Sequence, residues 1–376
     1  MKIILAFDSF KNCLSAPEIC TLLKEAMLQT EPLHEIISVP LGDGGEGTAR
    51  AVTAACGGEM HSLEVHDPLF RLTRAEWGLL PDGSAIFEMA SASGIELISN
   101  EERDPMRTTT YGTGELLKHL ACEKQIRKFC IGIGGSATVD GGVGMLQALG
   151  VKFYKQNGTP LPIPATGKDI AEIAVCDTSQ LPREISSAEI CIASDVTNPL
   201  CGENGAARVF APQKGADASM VEILEQNLLN FGKRSIATGI AEDFNSPGDG
   251  AAGGLGFALR TYLNAESCSG AELVLQLVKF DQLLSGADLV ITGEGCSDFQ
   301  TSHGKLCKIV SDHARKAQVP VFLLSGALGE RSDELEKFFD GLFSLSASPC
   351  SLEAAISSTP ENLRRMGKAI LKLATL

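Results

Sequence analysis

The 376-residue sequence has no apolar run near the roughly 18 residues that a membrane-spanning helix requires. Its start, MKIILAFDSF, reaches Asp8 after only about five apolar residues, too few for the core of a secretion signal, so it reads as a buried first strand. A cytoplasmic location is the expectation. Twelve cysteines are scattered without a Cys-x-x-Cys pair, and Cys130 and Cys191 sit in apolar strand-like runs where a thiol acts as a small hydrophobe, so reduced cysteines are expected. Six histidines form neither His-Glu-x-x-His nor a clustered ligand set, which leaves a zinc site without support. A surplus of basic residues is missing too. The net charge of −15 repels nucleic acid and anionic membrane surfaces, so any anionic ligand must be held by local devices: backbone amides, helix N-termini or a bound cation. There is no Walker A sequence, no protein-kinase motif set, no internal repeat and no low-complexity segment.

What is present points to a globular α/β protein. At roughly 150 residues per domain the length suggests two domains. Residues 2–8 form a short apolar run, and Ser15-Ala16-Pro17-Glu18 supplies a capping box with proline in the first turn of a helix. A second strand over 35–41 leads through a glycine loop into a helix from about Glu46 to Cys56, a βαβα start. From about residue 59, EMHSLEV, RLTRAEWGLL and SAIFEMA read as short antiparallel strands with a Pro81-Asp82-Gly83 turn. Alternation continues through KFCIGIG (128–134) and EICIASD (189–195). After about residue 280 the βα pattern returns with DLVIT, a helix from about Lys305, VPVFLLS, an acidic helix, GLFSLS and a C-terminal helix with Leu363, Met366, Ile370 and Leu373 on one face. The expected architecture is a discontinuous Rossmann-like parallel-sheet domain, residues 1–60 plus 280–376, with a mixed α/β domain, 61–279, inserted. The site is expected at the carboxyl ends of the parallel strands, facing the insert.

Five loops at strand ends combine glycine with carboxylate, hydroxyl or lysine. Asp8-Ser9-Phe10-Lys11 offers a cation ligand and an anion partner, or a plain strand-end turn. Gly42-Asp43-Gly44-Gly45-Glu46-Gly47 has the G-x-G-x-x-G spacing of a dinucleotide loop, yet Asp43 and Glu46 would put two negative charges where a pyrophosphate should lie. It reads instead as a metal or substrate-hydroxyl site, or a turn whose acids complement the helix dipole. A second match, Gly248 to Gly253, lacks a preceding strand and reads as a tight helix entry. The loop GIGGSATVDGGVG places Gly134, Gly135, Ser136 and Thr138 after a strand, where small residues admit a phosphate to backbone amides. Asp195 and Asn198 are hard oxygen ligands of the kind Mg²⁺ prefers, although Asn-Pro is also a turn signal. Lys214 nearby reads as a solvated lysine. Glu294 and Asp298 could share a cation, with Lys305 opening the next helix.

In their order, AFDSFKNCLSA, PLGDGGEGT, EMASASGIEL, TTTYGTGELL, GIGGSATVDGGVGMLQALG, SDVTNPLCGENGAARVFAPQKGA, GDGAAGGLG and DLVITGEGCSDFQTSHGK resemble the bacterial type I glycerate kinase family nearly end to end. The resemblance implies transfer of a phosphoryl group from ATP to D-glycerate, usually at the 2-hydroxyl to give 2-phosphoglycerate, with Mg²⁺ required. On this reading Gly134, Gly135, Ser136 and Thr138 hold nucleotide phosphates, and Asp195 with Glu294 or Asp298 orients Mg²⁺. Asp43 or Asp8 accepts the substrate proton, and Lys11 or Lys305 neutralises anionic charge. Ser9, Glu46, Asn198 and Gln300 contact substrate, in a cleft between domains. Two departures stand out. The family usually has proline where this chain has Phe7, and an arginine commonly follows TGEG where this chain has Cys296; a thiol cannot replace a five-donor guanidinium. A glycerate 3-kinase, an NAD-dependent oxidoreductase and a non-catalytic binding protein on a kinase fold are the alternatives, and self-association as a homodimer stays open.

Overall fold

The computed structural model describes residues 1–42, 45, 47–302 and 305–375. The chain divides into two compact units: Met1–Asp43 with Arg50–Gly58 and Ala271–Leu376, and Gly44–Ala49 with Glu59–Gly270.

The first unit is a parallel sheet. Its strand Lys2–Phe7 lies between Glu35–Ser38 and Leu289–Gly293, and Val321–Ser325 and Gly341–Ser344 continue the sheet beyond Leu289–Gly293. KIILAF can occupy an interior position because every residue after Lys2 is apolar and buried, as strands covered on both faces require. Each buried Ile, Leu or Phe there contributes about 1.5–3 kcal/mol. The helix Ala16–Thr30 starts as the sequence indicates. The Glu18 carboxylate accepts from the Ser15 hydroxyl at 2.6 Å and the Ser15 backbone N–H at 2.8 Å, and these bonds hold its pKa below the usual value. Ile19, Leu23 and Met27 on its inner face pack with Leu363, Ile370 and Leu371 of the helix Leu352–Ala374. Gly293 is required where its strand ends. A Cβ there would sit 1.8 Å from the Leu324 carbonyl oxygen, so any side chain would force neighbouring strands apart.

The second unit holds a mixed sheet in the order Glu266–Cys268, Glu189–Ala193, Lys128–Gly132, Ala85–Glu88, Leu72–Leu79, Glu59–His66. The last three pair antiparallel and the remainder parallel, which gives the α/β class expected with its mixed insert. Ala252, Gly253 and Gly254 take left-handed backbone angles at the start of the helix Ala251–Leu263. A side chain on Gly253 would lie 2.0 Å from the Thr138 carbonyl oxygen, so glycine lets this turn pack against the Gly134–Thr138 loop.

Three local expectations fail. The second strand stops at Ser38 rather than 41, and the acidic segment after Ser325 is a short 3₁₀ turn, Ser332–Lys337, not a full helix. Cys191 and Cys268 form a disulfide, against the expectation of reduced thiols. The cause is register: Glu266 lies opposite Cys191 and Cys268 opposite Ala193 on adjacent parallel strands, which brings together two cysteines 77 residues apart. No described helix is long and apolar enough to cross a membrane.

Candidate active site

In the first unit, register sets the chemistry. Phe7 pairs with Gly293, so the next residues, Asp8 and Glu294, leave adjacent strands at their carboxyl ends, where open parallel sheets place ligands. The Asp8 backbone N–H donates to the Gly293 carbonyl at 3.1 Å, and its Oδ1 accepts the Ser9 N–H at 2.7 Å. Glu294 is fixed more firmly. Its Oε1 accepts the Ser297 hydroxyl at 2.9 Å and the Thr301 hydroxyl at 2.6 Å, both from fully buried residues, while Oε2 faces Lys305 Nζ at 3.8 Å. Ser297 is anchored in turn by the buried Ser325 hydroxyl at 2.6 Å. Lys305 stands at the N-cap of the helix Leu306–Lys316. Asp8, Ser9, Lys11, Glu294 and Lys305 line one pocket of about 730 Å³. Cys307 is buried beside them; burial first, then the charges of Glu294 and Asp8, pushes its thiol well above the ordinary range, so it is a packing residue and no nucleophile.

The rest of this loop is ordered by itself. Asp298 Oδ1 accepts the Gln300 N–H at 2.8 Å, and the Asp298 N–H donates to Thr301 Oγ1 at 3.2 Å. Cys296 is exposed on the pocket wall, and burial followed by the negative charges of Asp298 and Glu294 raises its thiol pKa. A cation at that position would therefore sit in favourable surroundings.

The second unit carries the other sequence candidates. Gly134 and Gly135 are exposed just after the strand Lys128–Gly132, but Ser136 and Thr138 are buried. Lys214, only 2% exposed, explains part of this: its Nζ donates to Ser136 Oγ at 2.7 Å and to the Thr138 carbonyl at 2.8 Å. The expectation of a solvated lysine is wrong here. Burial lowers its pKa to about 7, with Asp140 opposing that shift. Asp140 is itself fully buried and accepts from the Thr110 N–H and hydroxyl and from the Gly142 and Gly144 N–H groups. This polar core was hidden in the sequence, although the Thr108-Thr109-Thr110 run, all three buried, is its visible trace. Asp195 is exposed and accepts the Gly270 N–H at 3.3 Å, and the Asn198 amide donates to the Asn204 carbonyl at 2.8 Å.

Asp43 and Glu46 lie outside the described residues. Their loop is nonetheless informative where it meets the helix Thr48–Cys56. The Gly47 and Ala49 N–H groups donate to the two carboxylate oxygens of Glu88 at 3.2 and 2.8 Å. In a dinucleotide fold that helix start would hold a pyrophosphate. Here a carboxylate already fills it, which removes the main ground for an NAD enzyme.

Among the described residues no group of three or more His, Cys, Asp and Glu side chains is placed to hold a metal ion. Mg²⁺ does not need one, because it is usually held by one or two carboxylates with water and substrate phosphates. Asp8 and Glu294, which leave the carboxyl ends of two adjacent strands and line one pocket, are carboxylates of that kind.

Fixed carboxylates beside lysines, at the ends of parallel strands, are the equipment of a phosphotransferase. Comparisons with known proteins agree. A sequence model of the glycerate kinase family matches residues 3–375. The chain is 39% identical to a glycerate kinase of Bacillus subtilis (strain 168), over 100% of this chain and 98% of that protein. It is 40% identical to the glycerate 2-kinase of Escherichia coli (strain K12), over 98% and 97%. A crystal structure from Salmonella typhimurium LT2, provisionally assigned as glycerate kinase 2, superposes with a TM-score of 0.89 at 38% identity, covering 99% of this chain and 98% of that one. The chain belongs to the glycerate kinase family and is a kinase.

Proposed function

We propose that this enzyme transfers the terminal phosphoryl group of ATP to the 2-hydroxyl of D-glycerate, giving 2-phosphoglycerate and ADP, in the cytoplasm where ATP is supplied. The observation that carries this reading is the convergence of Asp8, Glu294, Lys11 and Lys305 on one pocket of a glycerate kinase fold. The name of the Escherichia coli relative, glycerate 2-kinase, favours the 2-hydroxyl.

In this reading the 2-hydroxyl oxygen attacks the terminal phosphorus, the bond from that phosphorus to the ADP oxygen breaks, and the hydroxyl proton passes to Asp8 or Asp43. Mg²⁺ would be held by carboxylates among Asp195, Glu294 and Asp298, and would supply charge neutralisation and orientation to the phosphates. Lys11 and Lys305 stabilise the charge on the transferred group and on the substrate carboxylate. The exposed Gly134 and Gly135 amides are assigned to an anionic oxygen of the reactants, while Ser136 and Thr138 shape the loop from inside. Ser9, Gln300, Glu46 and Asn198 remain as substrate contacts. Alignment of this kind can supply on the order of 7–11 kcal/mol of barrier reduction.

A phosphorus NMR spectrum of the product formed from ATP and D-glycerate tests the reading. A 2-phosphoglycerate resonance is expected; 3-phosphoglycerate would move the enzyme to the other regiochemistry, and no phosphoglycerate would remove the reaction. The Cys296 departure has its own test. Cys296→Arg puts a guanidinium beside Glu294 and Asp298, and kcat/KM is expected to be unchanged or raised by up to about tenfold. A fall of that size would mean that the loop works differently here.

A further inference from the structure

The first-unit pocket is built in two halves, and D-glycerate needs only one. Its polar floor holds Asp8, Lys11, Glu294 and Lys305 at the strand ends. Its other half comes from the chain after the strand Gly341–Ser344 and from the first turns of the helix Leu352–Ala374, with Leu345, Leu352, Ala355 and Ile356 as an apolar wall. Glycerate has about seven non-hydrogen atoms, all carboxylate, hydroxyl or the carbons bearing them, and gives such a wall nothing to bind. A pocket of about 730 Å³ is several times too large for it and falls in the size range of nucleotide and cofactor sites.

The wall is also incomplete as it stands. Leu352 is 77% exposed at the pocket's edge and Ala354 is exposed beside it, so apolar surface lies open where a flat ring could cover it. More than two turns further on, Asn362 Nδ2 donates to Ser358 Oγ at 3.2 Å, and both residues line the same half. A carboxamide presents the donor and acceptor pair that matches the edge of adenine, as it does in base readout elsewhere. At the opposite end two lysines line the floor beside Asp8 and Glu294, so cationic donors are at hand in a chain of net charge −15.

We propose that the nucleoside of ATP binds in this first-unit pocket, its base against the Leu352–Ile356 wall within reach of Asn362, with the phosphate chain running to Lys11 and Lys305. The assignment rests on the ATP-dependent reaction proposed above and adds where the nucleotide is held. On this assignment residues from both ends of the sequence form the nucleotide site.

Cysteines placed around the pocket make the test direct. Cys296 and Cys350 are both exposed and both line it. The full-length enzyme is treated with N-ethylmaleimide, and alkylation of the Cys350 and Cys296 peptides is followed by mass spectrometry. Saturating ATP is expected to slow modification of Cys350 about tenfold, whereas tripolyphosphate and D-glycerate leave it unchanged, because they lack the base. Ala355→Trp, which fills the wall, is expected to raise the KM for ATP about tenfold, leave the KM for D-glycerate unchanged and abolish protection of Cys350. Asn362→Ala, a milder change, is expected to raise the KM for ATP and narrow the preference for ATP over GTP. ATP-dependent turnover with Cys350 unprotected and both KM values unmoved overturns the nucleotide assignment while the proposed reaction stands. Protection by D-glycerate in place of ATP overturns it equally. ATP protection in a chain that forms no phosphoglycerate upholds the assignment and counts against the reaction.

Discussion

Glu294→Gln is expected to lower kcat by about 10²–10³-fold with little change in thermal stability. Glutamine keeps a carbonyl oxygen where Glu294 Oε1 accepts from Ser297 and Thr301, so the internal order of the loop survives. What it removes is the charge facing Lys305 and the proposed cation. A group that acts through charge built up in the transition state should lose kcat far more than substrate affinity. Steady-state kinetics with each substrate varied, beside a melting curve, separate the cases. Activity within about threefold of the parent would take Glu294 out of the chemistry.

Lys214→Met should produce the largest stability effect, and one with a diagnostic pH dependence. Deleting the ammonium leaves buried Ser136 Oγ and the Thr138 carbonyl without their donor, at a cost of about 2–4 kcal/mol where the lysine is neutral. The sign of the pH effect follows from the depressed pKa of about 7. The unfolded chain keeps this proton up to about pH 10.4, whereas the folded chain releases it near neutrality. Between those values the unfolded state binds more protons, so this group makes stability rise with pH, at most by about 1.4 kcal/mol per pH unit. Below pH 7 the full cost of burying the charge is present and constant. Urea unfolding at intervals from pH 7 to 10 should therefore show the parent gaining stability relative to Lys214→Met. Parallel profiles would mean that Lys214 keeps its proton in the fold.

Elements governed by neighbouring residues were legible in the sequence. The capping box at Ser15 and Glu18 placed a helix start to the residue, and the apolar runs located the strands that carry Asp8 and Glu294. Asp43 and Glu46 lie outside the described residues, and the group found at the helix start that follows them, Glu88, lies about forty residues away and has no local signature. Long-range features stayed hidden for the same reason. Lys214 looks like any surface lysine until the fold carries it under Ser136 and Thr138. Cys191 and Cys268 look unrelated until two strands align them. The apolar wall of the pocket was concealed because Leu352 and Ile356 begin an amphipathic helix, and periodicity cannot distinguish a face that packs from one that waits for a ligand.

The parallel sheet assembled from distant parts of the chain also has a cost during synthesis. Leu5 finds one neighbour early, at Ser38, but its other partner, Ile291, emerges from the ribosome only after the whole second unit has been made. At about 5–20 residues per second this leaves an apolar strand with an open edge for roughly tens of seconds. The second unit, complete by Gly270, can fold during that interval. The nascent first strand is therefore the segment most in need of a chaperone, and a slower ribosome would lengthen its exposure.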